Sequence, residues 1–247
     1  MARSTPESAQ RVRVMGDLTN RTGIESSPLA DAMREGARAF TPNGGEADFK
    51  AFRGSLLREP QPVGTIPRPP SLGGAAKQAM GALTGQKPLV LLDKLGERLA
   101  FERTGTRLYE TLIAKHEQEG SFDGGPSAAE LRQIRDEELE HFHTLVRFVE
   151  QLGGDPTAVT PSADLAAVAS MGVVQVVADP RVSFGESLDA ILIAELVDHD
   201  CWKNLRALAE QAGNEQLHQF TQRAEDEEDR HLANVRRWVQ ARTLHGE

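Results

Sequence analysis

The chain has 247 residues and a formal net charge of −9 at pH 7, with 28 Lys and Arg against 37 Asp and Glu. The acidic excess lies entirely in residues 87–247, which hold 17 basic and 29 acidic side chains, whereas residues 1–86 hold 11 and 8. This balance argues against a nucleic-acid partner and is compatible with cation binding. The single cysteine, Cys201, excludes a disulfide framework and a cysteine-based zinc or iron–sulfur site within one chain.

No stretch of the sequence approaches the roughly 20 apolar residues that a membrane-spanning helix needs. Residues 1–17 lack the apolar segment of a secretory signal. We therefore expect a cytoplasmic protein of bacterial type without a membrane partner. The apolar fraction of 39% is ordinary, and the abundance of Ala, Leu, Glu and Arg favours a mostly α-helical class.

Residues 1–86 differ in composition from the rest of the chain. Eight of the 13 prolines lie in the first 70 residues, and residues 60–70 have the composition of a stiff, extended linker. Two short amphipathic helices are predicted, one beginning at Ser27-Pro28 and one over about residues 47–58. Neither can bury a core of its own. The sequence predicts a Pro/Gly-rich N-terminal arm that is either poorly ordered or wraps its own bundle or a neighbouring subunit.

Residues 87–247 contain four long stretches in which apolar residues recur in steps of three and four, the pattern of helices with one buried face. Pro88 suits a first helical turn and Gly120 a helix end, and Ser127 with Glu130 has the spacing of a capping box. The sequence therefore predicts four long helices, over about residues 88–119, 127–152, 183–212 and 214–244.

A long connection, residues 153–183, joins the second and third of these helices. It contains an apolar segment over residues 165–177 that is predicted to be a short helix or a strand-like cover. A connection of this length can cross a bundle, so the helices on either side of it need not be adjacent antiparallel neighbours. The predicted fold class is all-α, with residues 1–86 as an arm and residues 87–247 as one four-helix domain.

Four of the seven histidines have a glutamate three residues before them, a spacing that puts both side chains on one face of a helix. Two of these pairs lie on polar faces and are expected to be solvated, namely Glu140 with His143 and Glu215 with His218. The other two interrupt apolar stripes, namely Glu138 with His141 and Glu228 with His231.

The first and third long helices each carry one glutamate within the apolar stripe, Glu102 and Glu195. An unpaired buried carboxylate costs several kcal/mol, and four that face one another repel. Two divalent cations balance four carboxylates, and two imidazoles add neutral donors. The sequence therefore predicts a two-metal site in a four-helix bundle, with the ligands Glu102, Glu138, His141, Glu195, Glu228 and His231.

The two halves of the predicted bundle are related in sequence. Residues 134–149 align with residues 224–239 and share Asp, Glu, Glu, His, Arg and Val in register. A duplicated helix hairpin predicts a pseudo-two-fold site, to which each half contributes one Glu and one Glu-x-x-His pair.

With this ligand pattern, residues 88–244 resemble the ferritin-like superfamily, nearest to its bacterioferritin and rubrerythrin branches and to bacterial ferritin-like-domain proteins of unassigned role. The resemblance implies a four-helix bundle with a long crossover between its second and third helices. It also implies that Glu138 and Glu228 bridge two metals. Glu102 and Glu195 are then terminal ligands, and the two histidines complete opposite ends of the site.

Tyr109 resembles the tyrosine near the site of bacterioferritins, which implies a catalytic role as a hydrogen-bond or electron donor; packing alone is the alternative. The doubled acids Glu137 and Glu227 are expected to face solvent or to support the ligands, with direct ligation as the minor alternative. His199 lies four residues after Glu195 but is expected off the stripe with Asp198 and Asp200, so that it either supports the ligands or lies at the surface. No fifth helix and no cysteine-ligated iron domain are expected, which favours a homodimer or another small homo-oligomer over a storage cage.

Oxygen-rich ligands with two imidazoles suit Fe(II) or Mn(II), so two iron ions are the expected cofactor and manganese the alternative. The leading functional hypothesis is oxidation of Fe(II) by O2 or H2O2, in iron handling or oxidative-stress defence. Alternatives are dioxygen activation on a small organic substrate, in a pocket roofed by residues 153–183, and a manganese catalase-like reaction. A non-enzymatic, metal-binding structural protein is the remaining alternative.

Overall fold

The computed structural model describes residues 29–39, 45–57, 64 and 88–245, and all regular secondary structure within these ranges is α-helical. In chain order the described helices are α1 (Ala30–Ala39), α2 (Glu46–Leu56), α3 (Pro88–Glu119), α4 (Ala128–Gln151), α5 (Pro161–Ala169), α6 (Met171–Ala178), α7 (Phe184–Gln211) and α8 (Glu215–His245).

The chain divides into two compact units, residues 1–60 and residues 61–247. The first unit contains α1 and α2, at the places where amphipathic patterns predict them, and the predicted start at Ser27-Pro28 lies outside the described residues. No residue of α2 is buried, since Phe49, Phe52 and Leu56 are all exposed, as expected of a helix without a core. The predicted domain boundary between residues 86 and 87 also lies outside the described residues and stays a prediction.

Local signals at the helix ends explain why the long helices of the second unit begin and end where they do. The Ser127 hydroxyl accepts from the amide of Glu130, whose carboxylate accepts in return from the Ser127 amide, and this capping box starts α4. Ser183 and Glu186 start α7 in the same way. Gly120 follows α3 with φ +80°, a conformation that glycine adopts without a steric penalty.

The four long helices are arranged as two hairpins. Helix α3 packs against α4 and α7 against α8, and the hairpins meet through α3 with α7 and α4 with α8. Within the described residues α4 and α7 share no contact, so they occupy diagonal positions of the bundle. The crossover that joins them, α5 and α6, packs on α3 and α7. The predicted all-α bundle with a crossing connection is confirmed, and the apolar segment of that connection is helical.

The crossover is fixed to the bundle at the start of α5. The Thr160 hydroxyl donates to the Asp93 carbonyl 3.0 Å away, and the Asp93 carboxylate accepts from both the amide and the hydroxyl of Ser162, at 2.9 and 2.7 Å. Gly96 allows this approach, because a Cβ there would lie 2.3 Å from Thr160 Cγ2. The crossover therefore lies against α3 and covers one side of the bundle.

Among the described helices, none is both long and apolar enough to cross a membrane by itself. The bent pair formed by α5 and α6, with an angle of 45° between the two helices, passes the same test of length and composition.

Two apolar clusters fill the two ends of the bundle. One contains Leu95, Leu145, Trp202 and Leu217, and the other contains Leu112, Leu131, Leu188 and Trp238. On each long helix the predicted ligands lie between the residues that belong to one cluster and those that belong to the other. The polar side chains are therefore placed at the middle of the bundle, with a packed core on either side.

Candidate metal centre

All six side chains that the sequence predicts as ligands are buried at the middle of the bundle. Each of the four long helices contributes at least one of them, and none is more than 3% exposed: Glu102, Glu138, His141, Glu195, Glu228 and His231. A carboxylate is rarely buried to this degree without a partner charge or a metal. The bundle therefore holds a concentrated, enclosed set of carboxylates and imidazoles.

Ligand atoms of five of these residues converge in overlapping groups, two of which contain a histidine. Glu102, His141 and Glu228 form one group, and Glu138, Glu228 and His231 form the other, with the ligand atoms in each within 4.8 Å of one another. The Glu228 carboxylate is shared, because its Oε1 lies 3.3 Å from His141 Nδ1 and its Oε2 lies 3.2 Å from His231 Nδ1. One carboxylate with an oxygen directed to each group is the arrangement that a bridge between two metals needs.

Several buried atoms of the cluster lack a hydrogen-bond partner. They come from five of the six predicted ligands: Glu102 Oε2, Glu138 Oε2, His141 Nδ1, Glu195 Oε2 and Glu228 Oε1. A buried polar atom that is left unpaired costs free energy, so such atoms are few in folded proteins and need an explanation. Here they are metal-ligating atoms gathered in one place, and divalent cations with oxygen and imidazole ligands fit this donor set.

The space for the Glu138 carboxylate depends on a glycine of the facing helix. A Cβ at Gly105 on α3 would lie 2.2 Å from Glu138 Oε2. Any side chain at this position would therefore displace the carboxylate from the cluster. Gly105 sits within a long helix, where glycine is unfavourable by about 1 kcal/mol relative to alanine. The local cost is offset by the room it gives to Glu138.

Glu137 and Glu227, each adjacent to a predicted ligand in the sequence, contact the histidine of the opposite hairpin on the side of the ring that faces away from the cluster. Glu227 Oε2 lies 2.7 Å from His141 Nε2, and Glu137 Oε2 lies 2.7 Å from His231 Nε2. Glu137 is itself an acceptor for Arg230, and its hydrogen bonds outweigh the cost of its partial burial and hold its pKa at about 2. An ionised carboxylate only accepts, so Nε2 of each histidine carries a proton directed toward it, and Nδ1 is the nitrogen that faces the cluster.

The charges within the cluster shift the pKa values of its members in opposite directions. Burial, followed by repulsion from Glu102 and Glu228, raises the pKa of Glu138 well above its ordinary value. Burial also disfavours the charged form of Glu228, but the two imidazoles outweigh it and hold its pKa at about 2. The cluster thus shares a small number of protons among neighbouring groups, and these protons offset part of the carboxylate charge. Bound metal ions would take the place of the protons and supply the positive charge instead.

Glu195 belongs to neither of the two convergent groups among the described residues. Its Oε1 accepts a hydrogen bond from the Tyr109 hydroxyl, and its Oε2 remains unpaired. Burial, and then the nearby Glu228, raise the pKa of Glu195 to about 7. The pKa of Tyr109 is raised well above 10 by burial and by Glu195, so the phenol keeps its proton and acts as a donor.

Two further buried side chains, Arg98 and Asp198, join the cluster, and the sequence analysis missed both. Arg98 Nη2 donates to Glu102 Oε1 at 2.6 Å and to Asp198. Asp198 was expected off the buried stripe, but it is only 2% exposed, and its carboxylate lies within 4.8 Å of ligand atoms of Glu102 and Glu138. The signal was present: Arg98 lies four residues before Glu102, and Asp198 three after Glu195, so each shares a helix face with a predicted ligand.

The remaining Glu–His pairs, and also His199, lie away from the cluster. Glu140 and His143 are exposed on α4, as the polar face around them predicts. His199 is partly exposed and pairs through Nε2 with Asp229, 2.6 Å away, on the outside of the α7–α8 hairpin. The face of the helix, and not the spacing alone, separates the buried pairs from these.

Residues 123–243 match the family model of the ferritin-like domain. The chain belongs to the ferritin-like superfamily. The matched segment contains α4, the crossover and α7 and most of α8, so it includes five of the six predicted ligands of this ferritin-like protein, whereas Glu102 on α3 lies before it. No curated protein and no solved structure showed a significant match to the chain.

Proposed function

We propose that this ferritin-like protein binds two iron ions in the buried cluster and oxidises Fe(II) with O2 or H2O2. The observation that carries the proposal is the convergence of unpaired, buried ligand atoms from α3, α4 and α8 on one place, with the unpaired Glu195 Oε2 of α7 as a further buried donor. Oxygen-rich ligands with two imidazoles favour iron, with manganese as the alternative. A pair of Fe(II) ions held there supplies two electrons, which reduce H2O2 with two protons to two molecules of water.

In this proposal the protein holds and orients the metal pair. Glu228, whose two oxygens face the two histidines, would hold both ions together with Glu138, while Glu102 and Glu195 would each hold one. Arg98 and Tyr109 each occupy one oxygen of a terminal carboxylate, so the other oxygen remains available for a metal. Glu227 and Glu137 keep the two imidazoles turned with Nδ1 toward the pair.

Tyr109 is the one protonated phenol held at the cluster among the described residues, since the chain has a single tyrosine. Its hydroxyl points at Glu195, at the edge of the proposed metal pair. We assign it the role of hydrogen-bond donor to that ligand, and through it of proton or electron donor to the oxidant. A Tyr109→Phe variant retains the ring and removes the hydroxyl, so it separates this role from packing.

The experiment compares the wild type with Glu138→Ala/Glu228→Ala after anaerobic loading with Fe(II). Each protein is mixed in a stopped-flow spectrometer with O2 and, separately, with H2O2. The proposal expects fast oxidation by the wild type and its loss in the double variant, with Glu140→Ala as a matched control that reacts like the wild type. Equal rates in all three proteins would contradict the proposal, and stoichiometric binding without turnover would identify a metal-buffering protein instead.

A further inference from the structure

A small cavity lies against the outside of the bundle, between α3 and α7 and under the crossover helices α5 and α6. Its volume is about 90 Å³. Phe101 and Ala194 line it from the bundle, and Ala166 and Val173 line it from the crossover. The two bundle residues directly precede two of the predicted ligands in the sequence, so the cavity adjoins the helix segments that carry the candidate metal centre.

The lining of this cavity offers a guest almost no hydrogen bonds. Ser170 supplies the only hydroxyl among the lining residues, and it donates to the Ala166 carbonyl at 2.6 Å. The other lining side chains are those of Ala, Val, Ile and Phe. Enclosed apolar cavities accept small apolar guests such as xenon, and the apolar lining here offers a guest of that kind the same contacts. A polar guest would lose its hydration without compensation.

The wall between the cavity and the carboxylate cluster contains Arg98. Its guanidinium carbon lies 4.7 Å from the centroid of the Phe101 ring, which lines the cavity, and its Nη2 donates to Glu102 and Asp198. On α7, Asp198 directly follows Val197, another lining residue. The same few side chains thus separate the apolar space from the cluster, with the ring on one side and the ion pair on the other.

The rim of the cavity is apolar and open to solvent. Ile193 and Val197 both line the cavity and are 56% and 47% exposed. Ala169 of the crossover lies at the same rim and is also exposed. The exposed apolar side chains at the rim favour the passage of small apolar molecules from solvent into the cavity.

We propose that this cavity is a binding site for one small apolar molecule, of the class that includes dioxygen and short hydrocarbons. The molecule is held beside the candidate metal centre by the crossover. Its binding depends on the cavity alone, whereas its use there, as oxidant or as substrate, rests on the function proposed above.

The test of binding uses xenon and the metal-free protein. Crystals of the wild type, of Ala166→Leu and of Ala167→Leu are pressurised with xenon, and xenon is located by its anomalous scattering. Ala167 is the exposed neighbour of Ala166 and does not line this cavity, so it is the matched control. The proposal expects a xenon peak beside Phe101 in the wild type and the control, and its loss in Ala166→Leu. Ala169→Leu, at the exposed rim, serves as a second filling variant.

No xenon peak in the wild type would overturn the proposal, as would a crystal in which a second copy of the chain fills the cavity. These results do not involve iron, so they are independent of the proposed oxidation.

Oxidation rates of the Fe(II)-loaded proteins then distinguish the two guests. If dioxygen is the guest, Ala166→Leu reacts more slowly with O2 and unchanged with H2O2, relative to Ala167→Leu. If Ala166→Leu and Ala167→Leu react with O2 at the same rate, although xenon is lost only from Ala166→Leu, then dioxygen is excluded as the guest. An organic molecule is then the remaining guest.

Discussion

At the scale of the residue, charge compensation explains how the cluster is built. The Glu102 and Glu195 carboxylates are each held at one oxygen, by the cationic Arg98 and the neutral Tyr109 respectively, while Glu228 faces both imidazoles. The contacts of Arg98 and Tyr109 fix these two carboxylates and leave their other oxygens, Glu102 Oε2 and Glu195 Oε2, unpaired. A preorganised set of free ligand atoms is what tight metal binding requires.

His141 and His143 lie two residues apart, each three residues after a glutamate, and only His141 is buried. We expect His141→Ala to lower the tightly bound metal from two ions to one per chain, because one convergent group loses its imidazole. We expect His143→Ala to keep two. Metal analysis of both proteins after anaerobic loading and desalting checks this, and a loss that is equal in the two variants would contradict the assignment.

Glu227 contacts the cluster through His141, so its effect on metal binding is indirect. Carboxylates that orient a ligating histidine typically contribute 10- to 100-fold to metal affinity, and we expect Glu227→Ala to weaken binding by about that factor. The adjacent, exposed Asp226→Ala is the control and should bind as the wild type does. Competition titrations with a chelator measure both affinities. An unchanged affinity in Glu227→Ala would show that the imidazole needs no support from that side.

The six predicted ligands were available from the sequence because each interrupts an apolar stripe of helical period, which identifies a buried face without knowledge of the partner helix. A supporting role for Glu137 and Glu227 could be predicted from the sequence, but their histidine partners could not. Those partners lie on the opposite hairpin and depend on which helices are neighbours. Arg98 and Asp198 share a face with predicted ligands, yet their pairing across α3 and α7 follows only from the packed bundle. The position of Glu195 outside the two convergent groups likewise depends on packing.

At the scale of the element, glycines set the distances between helices. Gly105 on α3 admits Glu138 of α4, and Gly96 on the same helix admits Thr160 at the start of the crossover.

The boundaries of the long helices were predictable because capping boxes and terminal glycines are local signals. The form of residues 165–177 was not, because a short apolar run fits either a buried strand or a helix, and the contacts with α3 and α7 decide it.

Gly105→Ala tests whether the approach of α3 and α4 is needed for the centre. The added methyl group collides with Glu138 Oε2, so we expect a helical, folded protein whose metal affinity falls by about tenfold or more. Gly172→Ala, where a Cβ meets nothing within 4 Å, should leave metal binding unchanged. Circular dichroism confirms folding, and chelator competition measures affinity. Equal affinities in the two variants would show that Glu138 moves aside without consequence.

At the scale of the whole molecule, the cluster is the place where the two hairpins meet through polar groups. Its predicted ligands come from all four long helices, so metal binding there would link both halves of the bundle and would be coupled to folding. A ligand at about 100 times its dissociation constant stabilises the folded state by about 2.7 kcal/mol, which corresponds to a rise in melting temperature of roughly 5–10 °C for a domain of this size.

We therefore expect excess Mn(II), or Fe(II) without oxygen, to raise the melting temperature of the wild type by roughly that amount. The shift should disappear in Glu138→Ala/Glu228→Ala, because both shared carboxylates are gone. Thermal unfolding followed by circular dichroism, with and without metal, measures it. A comparable shift in the double variant would place the stabilising metal elsewhere on this acidic protein.

The central claim is that the cluster holds a pair of metal ions. The most direct measurement is anomalous scattering at the iron edge from crystals of the full chain loaded with Fe(II) under anaerobic conditions. The account predicts two peaks about 3.5–4 Å apart, with Glu228 between them and His141 and His231 bound through Nδ1 at opposite ends. A cluster without iron, or peaks confined to the exposed acidic side chains, would contradict it.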